Sequence, residues 1–398
     1  MRILTACVDL RQRGPGWMFP LWAAAMIGGC APEGSAPLAD HAPPSAAVEL
    51  DLRIDGHAVA LEPIVWMGVS PAGGIALLHS TSSRIRFFDS SGREIGTFGR
   101  AGDGPGEFRN PRQGGWIGDT LWIADGILRR VTLIAPDRQL VRMIRTDGVG
   151  PAPGSSEDFP TYSLATPHAL YPGDTLLVQG TTVVSGPAWP SSLVRTTADG
   201  FIRERVMDVP SGQGGNVPIP NGSMTVPFFA RPQWSVAPTG DRIAILDVDW
   251  NAPDERWVRF SVVDPHGEEL FARRIEVEPL RIPPSVVDSV VADRLASPIL
   301  ATFGAGDGFE ENLREAIPAH YPPVTAVIVG TDRRSWVGLA PTNEGNPWLV
   351  FDAEGTLLAH VILPSRVRLR AADATHLYGE ERDELDVGSV VRYRLKMP

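Results

Sequence analysis

Six pairs of short apolar β-strands recur along the chain, separated by polar turns built on Asp-x-x-Gly or a relative of it, and they predict an all-β fold, a six-bladed β-propeller. Two further observations support it. The strands are rich in β-branched and aromatic residues and are bounded by Gly, Asp and Pro. The segment Val48-Glu49-Leu50-Asp51-Leu52-Arg53-Ile54 alternates apolar and polar at period two, while the last unit is short of strands. The N-terminal strand is therefore expected to complete the sixth blade, joining the chain ends and removing an exposed edge.

The first unit pairs Gly74–Leu78 with Arg84–Asp89 and turns at Gly92. The second pairs Thr120–Asp125 with Arg130–Ile134 and turns at Asp137. The third pairs Asp174–Val178 with Ser192–Arg195, turning at Asp199-Gly200. The fourth pairs Asp241–Asp247 with Trp257–Asp264, turning at Gly267. The fifth pairs Ser335–Leu339 with Trp348–Asp352, turning at Gly355, and the sixth pairs Thr375–Gly379 with Val390–Leu395. In most units a further strand follows the Gly turn, as in Glu268–Ala272 and Thr356–His360. The Asp side chain supplies a local acceptor and Gly a positive φ, so neighbouring strands can reverse.

One stretch breaks this pattern. Between Pro279 and Pro323, Val286, Val287, Val290, Val291 and Leu295 recur at helical spacing after Pro283-Pro284, and Phe309, Leu313, Ala316 and Ile317 do so again before Pro318. A helical insertion between blades four and five is expected, either covering a sheet edge or carrying function.

The N-terminus sets compartment and processing. Arg2, Arg11 and Arg13 give a positive leader, and Trp17 to Ile27 an apolar core too short to span a bilayer. Gly28-Gly29-Cys30 follows. The block resembles the lipobox of bacterial lipoproteins, with Ile27 in place of the commoner leucine and Gly28 in place of alanine or serine. The resemblance implies that Cys30 receives lipid and becomes the first mature residue, which anchors the protein in the membrane. Ala31 rather than aspartate follows, which favours outer-membrane placement. Residues 31–47, rich in Pro, Ala and Ser, read as a flexible tether. The expected organisation is a signal peptide at 1–29, lipidated Cys30 with its tether at 30–47, and a propeller over 48–398. Cleavage removes Cys7 and lipid consumes Cys30, the only other cysteine, so no disulfide can form within the mature chain. Its core alone must hold the fold, and a chain of this length can bury enough apolar surface to do so.

The formal charge is −11; residues 1–29 carry three Arg and one Asp, a net +2, leaving −13 for the rest. This acidic balance argues against nucleic acid and against adsorption to anionic lipid. Lys396 is the sole lysine, so nearly all positive charge is arginine.

The run Phe98-Gly99-Arg100-Ala101-Gly102-Asp103-Gly104-Pro105-Gly106-Glu107-Phe108-Arg109-Asn110-Pro111, followed by Leu121–Asp125, resembles NHL-repeat propellers. It is closer still to the bacterial six-bladed β-propeller lipoproteins, in which an FGRxGxGPGEF stretch recurs. The close match covers about one blade, and the looser blade pattern runs from Val48 to the end. The resemblance implies a fold, not an activity, since its members share none.

Candidate binding residues cluster in that run. Arg100, Asp103, Glu107, Arg109 and Asn110, with Asp125 at the following strand end, place charge beside glycines that let backbone approach a ligand. The competing reading is a tight inter-blade connection. The spacing is neither a Rossmann nor a P-loop fingerprint. Asp247-Val248-Asp249-Trp250-Asn251 starts like an EF-hand loop, but Ala252 stands where glycine is needed and Val258 where the bidentate Glu belongs. The eight histidines, His41 to His376, form neither HExxH nor a Cys–His zinc pattern, and no GxSxG elbow occurs. Glu62 resembles the glutamate ligand of gluconolactonase-type propellers, without placeable Asn and Asp partners. No cofactor is expected, with calcium or zinc the candidates if a metal is held. Trp122, Trp257, Trp336 and Trp348 are expected in the core.

The leading functional reading is a non-enzymatic, envelope-anchored binding or scaffold module for a protein, peptide or carbohydrate. The second is a metal-dependent hydrolase or lyase, lactonase-like, working in the propeller channel. A third is a structural envelope protein. Propellers host all of these, so fold alone does not choose.

Overall fold

The computed structural model describes residues 36–37, 43–154, 159–182, 190–210, 215–220, 222–248 and 257–398. The expected signal peptide, Cys30, the first part of the tether and Asp249 to Ala252 lie outside the described residues.

Two N-terminal strands, β1 (Ala36–Pro37) and β2 (Ala47–Ile54), precede the first complete blade. Blade one is β3 (Ile64–Val69), β4 (Ile75–His79), β5 (Ile85–Phe88) and β6 (Glu94–Phe98). Blade two is β7 (Pro111–Ile117), β8 (Thr120–Asp125), β9 (Arg130–Ile134) and β10 (Leu140–Arg145). Blade three is β11 (Leu164–Leu170), β12 (Leu176–Thr181), β13 (Ser191–Thr196) and β14 (Ile202–Asp208). A hairpin follows, β15 (Asn216–Ile219) and β16 (Gly222–Thr225). Blade four is β17 (Gln233–Val236), β18 (Ile243–Asp247), β19 (Trp257–Val263) and β20 (Glu269–Glu276). Helices α1 (Pro284–Leu295), α2 (Pro298–Phe303) and α3 (Phe309–Ala316) come next. Blade five is β21 (Val324–Val329), β22 (Ser335–Leu339), β23 (Asn346–Phe351) and β24 (Leu357–Leu363). Blade six is β25 (Val367–Ala372), β26 (His376–Arg382) and β27 (Gly388–Lys396), with β2 as its fourth, outermost strand.

That last pairing closes the ring. β2 runs antiparallel to β27, with Val48 opposite Leu395 and Ile54 opposite Val390. The core is divided among the blade interfaces. One cluster packs β8–β9 of blade two on β12–β13 of blade three, another packs blade four on blade five through Phe260 and Phe351, and corresponding clusters fill the other interfaces. The interface between the last and first blades is filled as well, by Ile54, Tyr378 and Val390 against Ile64, Leu77 and Phe88. The second strands lie between two neighbours, so they read as continuous apolar runs rather than alternations: all of Ile75-Ala76-Leu77-Leu78-His79 is buried. Each fully buried Leu or Ile there contributes about 1.5–3 kcal/mol.

The Asp-x-x-Gly turns work as expected. Asp89 Oδ1 accepts the N–H groups of Ser91 and Arg93 while Gly92 takes φ 81°, and Asp264 and Asp352 repeat the arrangement. In blade three the acceptor is Thr197, whose Oγ1 takes the Phe201 N–H at 3.1 Å, rather than Asp199. In blade two Arg138 stands in the glycine position with φ 66°.

The helical insertion has its own small core. Val291, Leu300, Phe309, Leu313 and Ile317 pack against Val217, Met224 and Val226 of the β15–β16 region. Leu295, expected on the apolar face of α1, is exposed instead. The end of the expected tether is also paired: Pro44 O accepts from His360 N and Ala46 N donates to His360 O, each at 2.9 Å, and Ala46 is buried. A small side chain at Ala46 lets this segment lie flat against β24. Among the described residues no helix is long and apolar enough to cross a membrane.

Candidate functional site

Each blade is an antiparallel meander with its first strand innermost. Every inner strand therefore starts at the face where the preceding blade's last strand ends, here called the entry face. The connections 99–110, 277–323 and 364–366 emerge on that face, as do the two ends of the connection from β14 to β17. The turns after β3, β7, β17, β21 and β25 emerge on the opposite face.

The Arg100–Asn110 loop folds on itself. Arg100 Nε donates to Glu107 Oε1 at 2.8 Å, and Gly104 N donates to Glu107 Oε2 at 2.7 Å. Arg109 forms a two-pronged pair with Asp103. Arg130 crosses from β9 and donates to the Gly104 and Glu107 carbonyls at 2.7 and 2.8 Å. Gly102 sits at φ 149°, and a Cβ there would come within 2.2 Å of Glu107 Oε2. Phe108 is fully buried, edge to face with Phe98 at 6.2 Å. Asp125, only 2% exposed, accepts four backbone N–H groups, from Arg109, Asn110, Ile127 and Leu128. Asn110 Oδ1 accepts from Arg112. All six residues thus gather at one loop and strand end: Arg100 and Arg109 pair with Glu107 and Asp103, Asp125 holds backbone N–H groups, and Asn110 turns to Arg112. The Arg100–Glu107 and Arg109–Asp103 pairs hold both carboxyls below their usual pKa: at Asp103 chiefly through the bond from Arg109, at Glu107 through the Gly104 N–H and then Arg100.

Glu62 Oε2 accepts the Ser82 N–H at 2.9 Å and does not line the channel. Among the described residues no three of His, Cys, Asp and Glu converge as metal ligands would. Trp122, Trp336 and Trp348 are buried as expected, whereas Trp257 is half-buried with the Arg274 guanidinium 4.7 Å from its ring.

The uncommitted chemistry lies in the central channel. The inner strands of all six blades enclose a cavity of about 460 Å³. Trp66 of β3, Trp116 of β7 and Trp234 of β17 line it, beside Gln113, His168 and Gln179. Glycines on the inner strands make room for the indoles: a Cβ on Gly68 would lie 2.2 Å from the Trp66 ring. Trp116 Nε1 has no hydrogen-bond partner among the described residues. His168 lies against Trp234, ring centroids 4.6 Å apart, with Nε2 3.3 Å from Gln179 Oε1. Its ring keeps partial access to the cavity, yet protein surrounds it. That enclosure lowers its pKa to about 4, so His168 is neutral near pH 7.

Towards the entry face lies a second cavity, of about 720 Å³, that shares Gln113, Ser235, Ile328 and Arg370 with the first in its wall. On β25, Arg370 is neutralised by Glu380, a carboxylate only 2% exposed that also accepts Arg382 Nε at 2.9 Å. Both cavities fall within the roughly 300–1,000 Å³ of small-molecule sites. The channel tryptophans were hidden in the sequence because a tryptophan on a propeller strand is as readily core as channel lining; only ring closure separates the two.

No family model matches this chain, and no curated protein does. Solved structures do. A Bacteroides fragilis protein assigned as exported is 12% identical, with a TM-score of 0.48, covering 92% of this chain and 99% of that one. A virginiamycin B lyase from Staphylococcus aureus, solved in an inactive form with quinupristin, is 10% identical at a TM-score of 0.42, covering 87% and 99%. BamB from Moraxella catarrhalis is 12% identical at 0.34, covering 90% and 95%. The fold is a six-bladed β-propeller, read from the closed ring of blades described above.

Proposed function

We propose that this protein is a ligand-binding propeller, held at the cell envelope by lipidated Cys30, whose central channel recognises a small hydroxyl-rich molecule of the carbohydrate class. The observation that carries this reading is the cavity where Trp66, Trp116 and Trp234 stand beside the amides of Gln113 and Gln179 and a neutral His168. Indole surfaces suit the apolar face of a sugar ring, and amides with imidazole offer both donors and acceptors for hydroxyls. Near pH 7 these groups carry no charge, so they can be desolvated without the cost of burying an ion. The Arg100–Asn110 loop contributes to the entry face as a shaped rim, with Asp125 fixing its base. The insertion formed by the β15–β16 hairpin and the helices stands on the same face.

Two measurements test this. Intrinsic tryptophan fluorescence of the purified protein is titrated with a panel of oligosaccharides, in parallel with Trp234→Ala. Saturable binding weakened at least tenfold in Trp234→Ala supports a channel site; binding unaffected by the substitution places the ligand elsewhere. For the anchor, Cys30→Ser should move the protein from the membrane to the soluble or signal-retaining fraction. Unchanged membrane partitioning would refute it.

A further inference from the structure

Of the three arginines lining the larger cavity, Arg368 alone has no hydrogen-bond or ion-pair partner among the described residues: Arg370 of β25 is held by Glu380, and Arg366, just before β25, reaches Glu384 at 3.3 Å. Arg368 lines the larger cavity, as does Arg370. The protein carries an excess of acid, yet no Asp or Glu is among the residues lining either channel cavity. Acidic residues appear at the far mouth, where Asp332 and Asp373 line the turns after β21 and β25. Of the residues lining these cavities, the charged ones towards the entry face are Arg366, Arg368 and Arg370, and those at the opposite mouth are Asp332, which pairs with Arg334, and Asp373. Trp348, 5% exposed, lines the same cavity, and its Nε1–H has no acceptor among the described residues. Arg368 is an exposed residue of the cavity wall, and partial desolvation there, and then the charge of Arg370, hold its pKa below the usual value, so an anion in the cavity would meet an accessible, unpaired charge.

We infer that the channel takes an acidic sugar, its carboxylate paired with Arg368 at the entry face and its ring seated towards Trp66 and Trp234. The inference rests on the channel reading above and deepens it. A guanidinium meets a carboxylate through two parallel N–H···O bonds, which supply orientation as well as affinity. The two cavities adjoin, sharing Gln113, Ser235, Ile328 and Arg370 in their walls, which places the sugar ring and its carboxylate within reach of neighbouring parts of one channel.

The test uses the purified full chain, tryptophan fluorescence and three probes: a glucuronic acid disaccharide, its neutral methyl ester, and inorganic phosphate. The acid is expected to bind on the order of tenfold or more tightly than the ester, and to lose that margin in Arg368→Gln and in high salt. Arg368→Lys should recover part of it. Equal binding of acid and ester, unchanged in Arg368→Gln but weakened in Trp234→Ala, would overturn the acidic-sugar inference while leaving the channel reading intact. Phosphate binding as tightly as the acid, with Trp234→Ala without effect, would overturn the sugar class in favour of a bare oxyanion site. If none of the three probes binds, the inference falls.

Discussion

Asp125 Oδ2 accepts the backbone N–H of Arg109 at 2.7 Å, tying the end of β8 to the loop that enters blade two. The same carboxylate holds Asn110, Ile127 and Leu128. Asp125→Ala would leave four backbone donors without their acceptor in a nearly buried place. It should cost roughly 2–4 kcal/mol of stability by urea denaturation. A loss under about 0.5 kcal/mol, the range of ordinary surface changes, would show the loop to be held by other means.

Closure by β2 makes a second prediction. Deleting residues 47–54 removes the outer strand of blade six and Ile54 from the last interface. The deletion should abolish a cooperative melt. The milder Ile54→Ala should cost about 2–4 kcal/mol, because Ile54 is 3% exposed. An unchanged melting temperature in the deletion would refute closure.

Glu380 between Arg370 and Arg382 gives a third. Glu380→Gln keeps the shape and removes the carboxylate that neutralises half-buried Arg370, while Arg382 keeps its pair with Asp386. The expected loss is about 3 kcal/mol or more, since one member of a buried ion network is left uncompensated. Arg366→Gln, at an exposed pair, should lie within about 1 kcal/mol of the wild type. Equal effects of the two would contradict the buried network.

His168 sets a pH dependence. Its folded pKa of about 4 lies below the ordinary value of 6.5. Between these the unfolded chain binds the proton and the folded chain does not, so stability rises with pH across the window and falls on acidification. His79, lowered chiefly by burial, acts in the same direction. The urea midpoint should drop from pH 7 to pH 5, and His168→Gln should shrink that drop. A drop of the same size in His168→Gln would assign it to other groups.

Much of the fold is legible in the residues. The strand pairs follow from short apolar runs with Asp and Gly at their ends, and the closing strand from the alternation of Val48 to Ile54. Helices α1 and α3 follow from valine and phenylalanine at helical spacing. What escapes is what depends on partners distant in sequence. The β15–β16 hairpin, Asn216 to Thr225, carries little apolar alternation and is held by helices more than 60 residues on. The segment Pro44–Ala46 has the composition of a free tether, yet β24 offers it an unpaired edge. The conspicuous motif, Arg100 to Asn110, reads as charge around glycine, but which carboxylate meets which arginine is a matter of loop geometry. The channel set is invisible for the same reason: Trp66, His168, Trp234 and Arg368 come from four blades and meet only when the ring closes.

The most direct test of the central claim is ¹⁹F NMR of the protein labelled with 5-fluorotryptophan, assigned by single Trp→Phe variants and titrated with the glucuronic acid disaccharide. A ligand in the channel predicts saturable shifts of the Trp66, Trp116 and Trp234 resonances, with fully buried Trp336 unmoved. Saturable binding that leaves those three resonances in place would put the ligand outside the channel and contradict the account.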